Sequence, residues 1–200
     1  MGISLRQFEQ MKERVAGRVP RAVISVPRPA SGSLNRIVLG LDPSLRGTGF
    51  GIIQCASPHP RTLSYGTISC PAAWERSRCL AKISEIVRAE VRKYRPEVCV
   101  VEGLFYAQNL QTALIMGEAR GAALAAVAEY GIEIFEIAPR KVKQAIVGYG
   151  AAQKIAVAKM VQRLLALAEL PAPDAADALA LALVHTRENS RYGLSPAKKI

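Results

Sequence analysis

Residues 37–55 read IVLGLDPSLRGTGFGIIQC, and this segment is the most informative about the fold. It begins with an apolar run that ends in an acid, Asp42. The glycines of residues 47–49 indicate a tight turn, and a second apolar run follows over residues 50–55. Two such runs joined by a short turn are typical of a β-hairpin. The sequence therefore predicts two antiparallel strands, the first of which ends in a carboxylate.

Downstream of this hairpin, strand-like and helix-like segments alternate. Apolar residues recur at intervals of three and four in the longer segments, which is the helical period, whereas the shorter apolar runs indicate strands. The order predicts an α/β fold with a mixed five-stranded sheet flanked by helices. Beyond the hairpin, we predict strands at 61–69, 98–102 and 132–137 and helices at 73–94, 110–130, 139–147, 151–169 and 174–186.

Composition limits the class of protein. A chain of 200 residues, of which 50% are hydrophobic, is enough for one good core. The net charge of +11 favours a polyanionic partner. The four cysteines have no CxxC spacing, which favours reduced thiols in the cytoplasm. No apolar stretch approaches the ~20 residues that span a bilayer, so we expect no membrane association.

Much of the positive charge lies in the two ends of the chain. Residues 1–36 hold seven Lys/Arg and two Glu, and residues 186–200 hold four Lys/Arg and one Glu. We expect a basic leader with a Pro/Ser-rich linker at 1–35, a folded domain at 36–187 and a basic tail at 188–200. Such ends are either simply solvated or in contact with a nucleic-acid backbone.

Two predicted strands, 37–42 and 98–102, end in an acid. In open α/β sheets, functional sites lie beyond the carboxyl ends of the strands, so this position points to Asp42 and Glu102. Each residue alone also has a plain structural interpretation. Asp42 could open a turn, and Glu102 could be a strand-end acid that faces water.

Asp174 and Asp177 are three residues apart at the start of the last predicted helix, so they share a face. Acids in a first helical turn are often only caps. This helix is otherwise almost wholly apolar, however, so we expect it to be buried, and Asp177 cannot be a simple surface acid. Four converging carboxylates would suit phosphodiester cleavage with divalent ions, which needs three or four acids from different elements.

Four motifs in this order resemble the RuvC family of crossover-junction endodeoxyribonucleases, which resolve Holliday junctions. The resemblance runs from about residue 37 to residue 185. Residues 1–36 lie outside it. The motifs are LGLDPSLRGTGFGII, VEGLFYAQNLQTALIMGEARG, PRKVKQAIVGYGAAQK and PDAADALALALVH.

The resemblance implies a ribonuclease H-like fold, a cytoplasmic homodimer and paired symmetric nicks in a four-way junction during recombination and repair. It implies two Mg²⁺ per active site, with Mn²⁺ able to substitute, and the RuvA and RuvB branch-migration complex as partner. By motif, the catalytic and metal-binding residues are Asp42, Glu102, Asp174 and Asp177.

The resemblance also implies a set of DNA contacts. Phe105 matches an aromatic residue that stacks on an unpaired base, although it could instead anchor the helix that follows. Lys143 and Lys154 match family lysines near DNA phosphate, and Arg140 lies close by. Lone basic residues on helices are more often solvated. The first loop departs from the family pattern, because Ser44-Leu45 stands where Gly-Ser is usual.

Small residues recur every four positions on the predicted helix 110–130, at Ala113, Gly117, Gly121 and Ala125. This stripe could admit a partner helix or pack on the domain's own sheet. We do not count His185 as a metal ligand, because it lies eleven residues after Asp174 along the helix.

Three different functions remain open beside the one that the resemblance implies. The first hairpin resembles the phosphate-binding hairpin of actin-like and sugar-kinase ATPases, but the chain is short for two domains and has no second glycine-rich phosphate loop. The second function is that of a non-cleaving junction-binding module. The third is that of another ribonuclease H-like nuclease.

Overall fold

The structure is a computed structural model, and it describes residues 35–56, 59–103, 109–188 and 198–200. The predicted leader, Phe105 and most of the predicted basic tail lie outside these ranges. No helix within the described ranges is long and apolar enough to cross a membrane.

A mixed sheet forms the centre of the domain, with the strand order β3-β2-β1-β4-β5-β6. The first three strands are antiparallel, β1, β4 and β5 are parallel, and β6 runs antiparallel to β5. The predicted α/β fold with a mixed sheet is confirmed. The strands are β1 Ile37–Asp42, β2 Gly47–Gln54, β3 Arg61–Ser69, β4 Val98–Glu102, β5 Glu133–Ile137 and β6 Lys198–Lys199.

The predicted number of five strands was one too few. The sixth strand, β6, consists of two lysines from the predicted basic tail. Lys199 pairs with Phe135 on the open edge of β5 and places its Nζ 2.5 Å from a carboxylate oxygen of Glu133. A two-residue charged strand has no apolar alternation, so periodicity could not reveal it.

Five helices flank the sheet in the described ranges. The predicted helix at 151–169 was too long, because α4 ends at Leu164 and Ala166 has a positive φ of 49°. The helix predicted from residue 73 starts at Arg76. The helices are α1 Arg76–Tyr94, α2 Leu110–Ala128, α3 Pro139–Val147, α4 Lys154–Leu164 and α5 Pro173–Glu188.

The central strands are buried on both faces, and alternate side chains enter two separate cores. Val98 and Val100 of β4 pack with α3, α4 and α5, whereas Cys99 and Val101 pack with α1 and α2. This alternation follows from the two-residue period of a strand. It explains why β1 and β4 are continuous apolar runs.

The glycines of residues 47–49 were wrongly predicted to form a tight turn, because they lie inside β2. Their role is close packing. A Cβ on Gly49 would collide with the carbonyl oxygen of Asp174, and a Cβ on Gly40 would collide with that of Ala178. The absence of side chains therefore lets α5 lie directly on β1 and β2.

The turn itself is the loop between β1 and β2, and a buried threonine closes it. Thr48 is 0% exposed, its hydroxyl donates to the carbonyl of Ser44 at 2.6 Å, and it accepts from the amide of Ser44 at 3.2 Å. Neither Ser44 nor Leu45 has a positive φ. The loop therefore does not need the glycine that the family usually has here.

Candidate active site

The carboxyl ends of β1 and β4 lie side by side at one edge of the domain. Asp42 ends β1 and Glu102 ends β4, as the sequence predicted. The strands are parallel, with Leu41 opposite Val101. Neighbouring strands are ~4.8 Å apart, so the next residue on each strand brings the two carboxyl groups together. They share a hydrogen bond.

The start of α5 brings two further acids to the same place. Asp174 lies against the beginning of β2, where a Cβ on Gly47 would be 2.8 Å from its Oδ2. Asp177, one helical turn later, has a side chain that is only 17% exposed. It is therefore not a simple surface acid, as expected from its apolar helix. The charges of both aspartates act on Asp42.

This crowding shifts the titration of the strand-end acids. Burial, followed by the negative charge of Asp177, raises the pKa of Asp42 to about 6. Burial, followed by the charge of Asp42, raises the pKa of Glu102 to about 7. Both carboxyl groups are therefore harder to ionise than exposed acids. The cluster carries more negative charge than its surroundings balance.

Lys154, at the start of α4, is the basic group inside the cluster. Its Nζ lies 3.0 Å from Oδ2 of Asp177. Burial alone would lower the pKa of Lys154, but the hydrogen bond to Asp177 and the charges of Asp177, Asp42 and Asp174 raise it. One ammonium group thus faces four carboxyl groups.

The donor set suits a divalent cation. No three carboxylates, imidazoles or thiols among the described residues are close enough to form a finished ligand set. The available donors are nevertheless carboxylate oxygens, which hard cations such as Mg²⁺ prefer. The raised pKa values of Asp42 and Glu102 also mark an unmet demand for positive charge. A divalent cation held by these carboxylates would supply that charge.

The other predicted residues lie outside this cluster or outside the described ranges. Arg140 is exposed and packs along Gly150, where a Cβ would lie 2.5 Å from its Cγ. Lys143 is half-buried on the same helix, α3. Neither forms an ion pair with a residue in the described ranges. Phe105 is not described.

Sequence reasoning missed one pair of residues next to the site. Arg120 of α2 is 7% exposed and donates to the backbone carbonyl of Glu102 and, at 2.5 Å, to a carboxylate oxygen of Glu136. The only signal in the sequence is an arginine that interrupts an alanine-rich helix. Nothing local links it to a residue sixteen positions later.

Comparison with known proteins identifies the family. Residues 38–185 match the family described as "Crossover junction endodeoxyribonuclease RuvC". The chain is 43% identical over 148 residues to a protein of that name from Akkermansia muciniphila, covering 74% of this chain and 89% of that protein. It is 41% identical over 161 residues to another from Chloroflexus aurantiacus, covering 78% of this chain and 98% of the relative.

A solved structure agrees with these matches. Thermus thermophilus RuvC, in complex with a Holliday junction substrate, superposes with a TM-score of 0.74 at 32% identity, covering 82% of this chain and 99% of that one. The matched region contains every residue of the carboxylate cluster. A ribonuclease H-like sheet, acids at its strand ends and this degree of identity place the chain in the RuvC family of crossover junction endodeoxyribonucleases.

Proposed function

We propose that this protein is a structure-selective endonuclease that resolves Holliday junctions by paired symmetric nicks during recombination and repair. The observation that carries the proposal is the meeting of Asp42, Glu102, Asp174 and Asp177, from two strands and one helix, around a single lysine. Membership of the RuvC family supports the substrate, because a relative was solved with a Holliday junction.

We further propose that these four carboxylates hold two Mg²⁺ ions, with Mn²⁺ able to substitute. When bound, such ions lower the pKa of an attacking water and stabilise charge on the leaving oxygen. Asp42 and Glu102 are held by their strands, so they define fixed ligand positions. Asp177, which contacts Lys154 at 3.0 Å, would hold a cation with them, and the Lys154 ammonium group would then be available to a phosphate oxygen.

The DNA contacts are proposed from the motifs and from their placement. Lys154 lies in the cluster itself, so it would meet the phosphate at the cut. Arg140 and Lys143 lie on α3, and without a described ion pair their charges are available to the backbone of the DNA. Phe105 follows β4 by three residues and would stack on an unpaired base. The basic leader and tail would add phosphate contacts.

A homodimer would use the exposed face of α2. Leu110 and Leu114 are 75% and 59% exposed, and a Cβ on Gly117 or Gly121 would meet no described residue beyond the adjacent part of α2 within 4 Å. Together with Ala113 and Ala125, they form the α2 stripe, which points away from the domain's own sheet. Paired nicks need two active sites, and a second copy docked on this stripe would supply the other.

The cellular location and the protein partners are proposed from membership of the family. We place the reaction in the cytoplasm, which the free cysteines also favour. The RuvA and RuvB branch-migration complex would deliver the junction.

One assay separates this function from its rivals. The protein is offered a synthetic four-way junction, a matched duplex and an RNA–DNA hybrid, first with Mg²⁺ and then with EDTA. We expect paired nicks on two strands of like polarity in the junction alone, abolished by EDTA. Cleavage of the hybrid instead would identify another ribonuclease H-like nuclease. Junction binding without cleavage would identify a non-cleaving module.

A further inference from the structure

A partly buried ion pair lies directly behind Glu102. Arg120 reaches it from α2 and Glu136 from β5, with side chains that are 9% and 30% exposed. The guanidinium group divides its donors, because Nη2 donates to Oε2 of Glu136 at 2.5 Å and Nη1 donates to the backbone carbonyl of Glu102. The second contact reaches the last residue of β4.

Core packing does not account for this arginine. The neighbouring positions through which α2 meets the sheet are small and apolar, namely Ala119, Ala123, Ala126 and Val127. Taking a guanidinium group out of water costs several kcal/mol before its partners offset the loss. An apolar side chain would therefore fill this position more simply. The arginine instead supplies directed hydrogen bonds.

Those bonds act on the point where β4 ends. The amide of Gly103 donates to the carbonyl of Ile137 at 2.8 Å, which holds one side of the strand end. Arg120 holds the adjacent carbonyl of Glu102. Glu136 also lies against Gly103, where a Cβ would be 3.3 Å from its Cγ. The backbone on which the Glu102 side chain stands is thus fixed from two directions.

We propose that Arg120 and Glu136 are positioning residues for Glu102. They hold the end of β4 so that the Glu102 carboxylate faces Asp42 and can bind a metal ion with it. Neither residue touches the reacting atoms. The inference rests on the proposed function, since it assumes that Glu102 is a metal ligand in cleavage.

The test is Arg120→Lys, which keeps the charge but cannot make both contacts in the same geometry. Its matched control is Arg88→Lys. Arg88 also makes a two-point pair, with Glu129 at 2.8 and 2.9 Å, but this pair is exposed and links α1 to the end of α2. Both variants weaken a two-point arginine contact, and only one of these contacts touches the end of β4.

Three quantities are measured in each protein. They are Mg²⁺ binding without DNA by calorimetry, hydrogen exchange at the amide of Gly103, and single-turnover cleavage of a four-way junction. For Arg120→Lys we expect Mg²⁺ affinity or cleavage to fall about 10- to 100-fold, the effect typical of groups that orient metal ligands. Gly103 should exchange faster, and junction binding in EDTA should stay unchanged. Arg88→Lys should match wild type throughout.

A second variant covers a failure of Arg120→Lys to fold. Glu136→Gln keeps the size and an acceptor oxygen while it removes the charge that orients the guanidinium group, and it should lower Mg²⁺ affinity in the same direction. Wild-type metal binding, amide exchange and cleavage in whichever of these variants folds would overturn the proposal. The DNA-free readouts keep it separate from the proposed function. If wild type cuts no junction but the variants bind Mg²⁺ more weakly than wild type, the positioning role is upheld and the nuclease function is refuted.

Discussion

At the scale of single residues, the carboxylate cluster has more acidic than basic groups, since four carboxyl groups face one lysine. Burial and neighbouring acids raise the pKa values of both Glu102 and Asp42. Lys154 balances part of the remaining charge through Asp177. This imbalance disfavours a metal-free site, and a divalent cation would relieve it. The same physics makes the raised pKa values a sign of function rather than of stability alone.

His185, far along α5 from the acids, predicts a dependence of stability on pH. Both ring nitrogens are buried without a hydrogen-bond partner, and the ring packs 5.2 Å from Phe135. Burial, followed by the charge of Arg36, lowers the pKa of His185 to about 4 from its ordinary value of 6.5. The unfolded chain therefore takes up this proton first, and the stabilising contribution of neutral His185 is lost as the pH falls from about 6.5 towards 4.

The test compares wild type with His185→Leu by urea unfolding at pH 7 and pH 4.5. Asp42 and Glu102, whose pKa values are raised, act in the opposite direction, since the folded state takes up their protons first. They contribute equally to both proteins and cancel in the difference. We expect the variant to gain about 2 kcal/mol relative to wild type at the lower pH. An identical difference at both pH values would refute the buried neutral imidazole.

At the scale of elements, features that depend on one strand or helix could be predicted from the sequence. Features that depend on contacts between two elements could not. The acids at the ends of β1 and β4 were predictable, because buried parallel strands are continuous apolar runs. The glycines of β2 were misread, because close packing of α5 leaves no local signal that differs from a turn. The Arg120–Glu136 pair was not predicted, because its residues lie on different elements and no local pattern links them. The strand β6 is simply too short for a periodic pattern.

The helix α2 carries a prediction about assembly. Replacing Gly121 with leucine fills the α2 stripe with a large side chain. Apart from the neighbouring part of α2 itself, no atom of the described residues lies within 4 Å of its Cβ position. The fold should therefore persist, helped by the ~1 kcal/mol that glycine costs a helix. We expect wild type to sediment as a dimer and the variant to sediment as a monomer.

Ala89→Leu is the control for this experiment. Ala89 is an exposed alanine of α1, so the change likewise places a leucine side chain on a helix surface, away from the α2 stripe. It should leave the wild-type dimer intact. A dimer that survives Gly121→Leu would move the interface to another surface.

At the scale of the whole molecule, the acids of the site lie at one edge of the domain, where β1 and β4 end. Asp42 and Glu102 stand at the carboxyl ends of β1 and β4, and the start of α5 adds two more acids. The helix α2 presents the α2 stripe on its outer face, and Arg120 reaches the carbonyl of Glu102 from its inner face. One helix thus faces both the proposed partner subunit and the backbone of Glu102. This arrangement would place two active sites in one assembly, as paired nicking requires.

If the four carboxylates form the metal site of a junction-cutting enzyme, Asp42→Asn should remove one of its ligands. The change keeps the size of the side chain but removes a charged ligand. Single-turnover cleavage of a four-way junction is measured with Mg²⁺, and junction affinity is measured in EDTA. The control is Glu97→Gln, which alters an exposed acid just before the opposite end of β4, 3.9 Å from Arg36. We predict that Asp42→Asn abolishes cleavage and retains binding while the control cuts normally. Wild-type cleavage by Asp42→Asn would contradict the assignment.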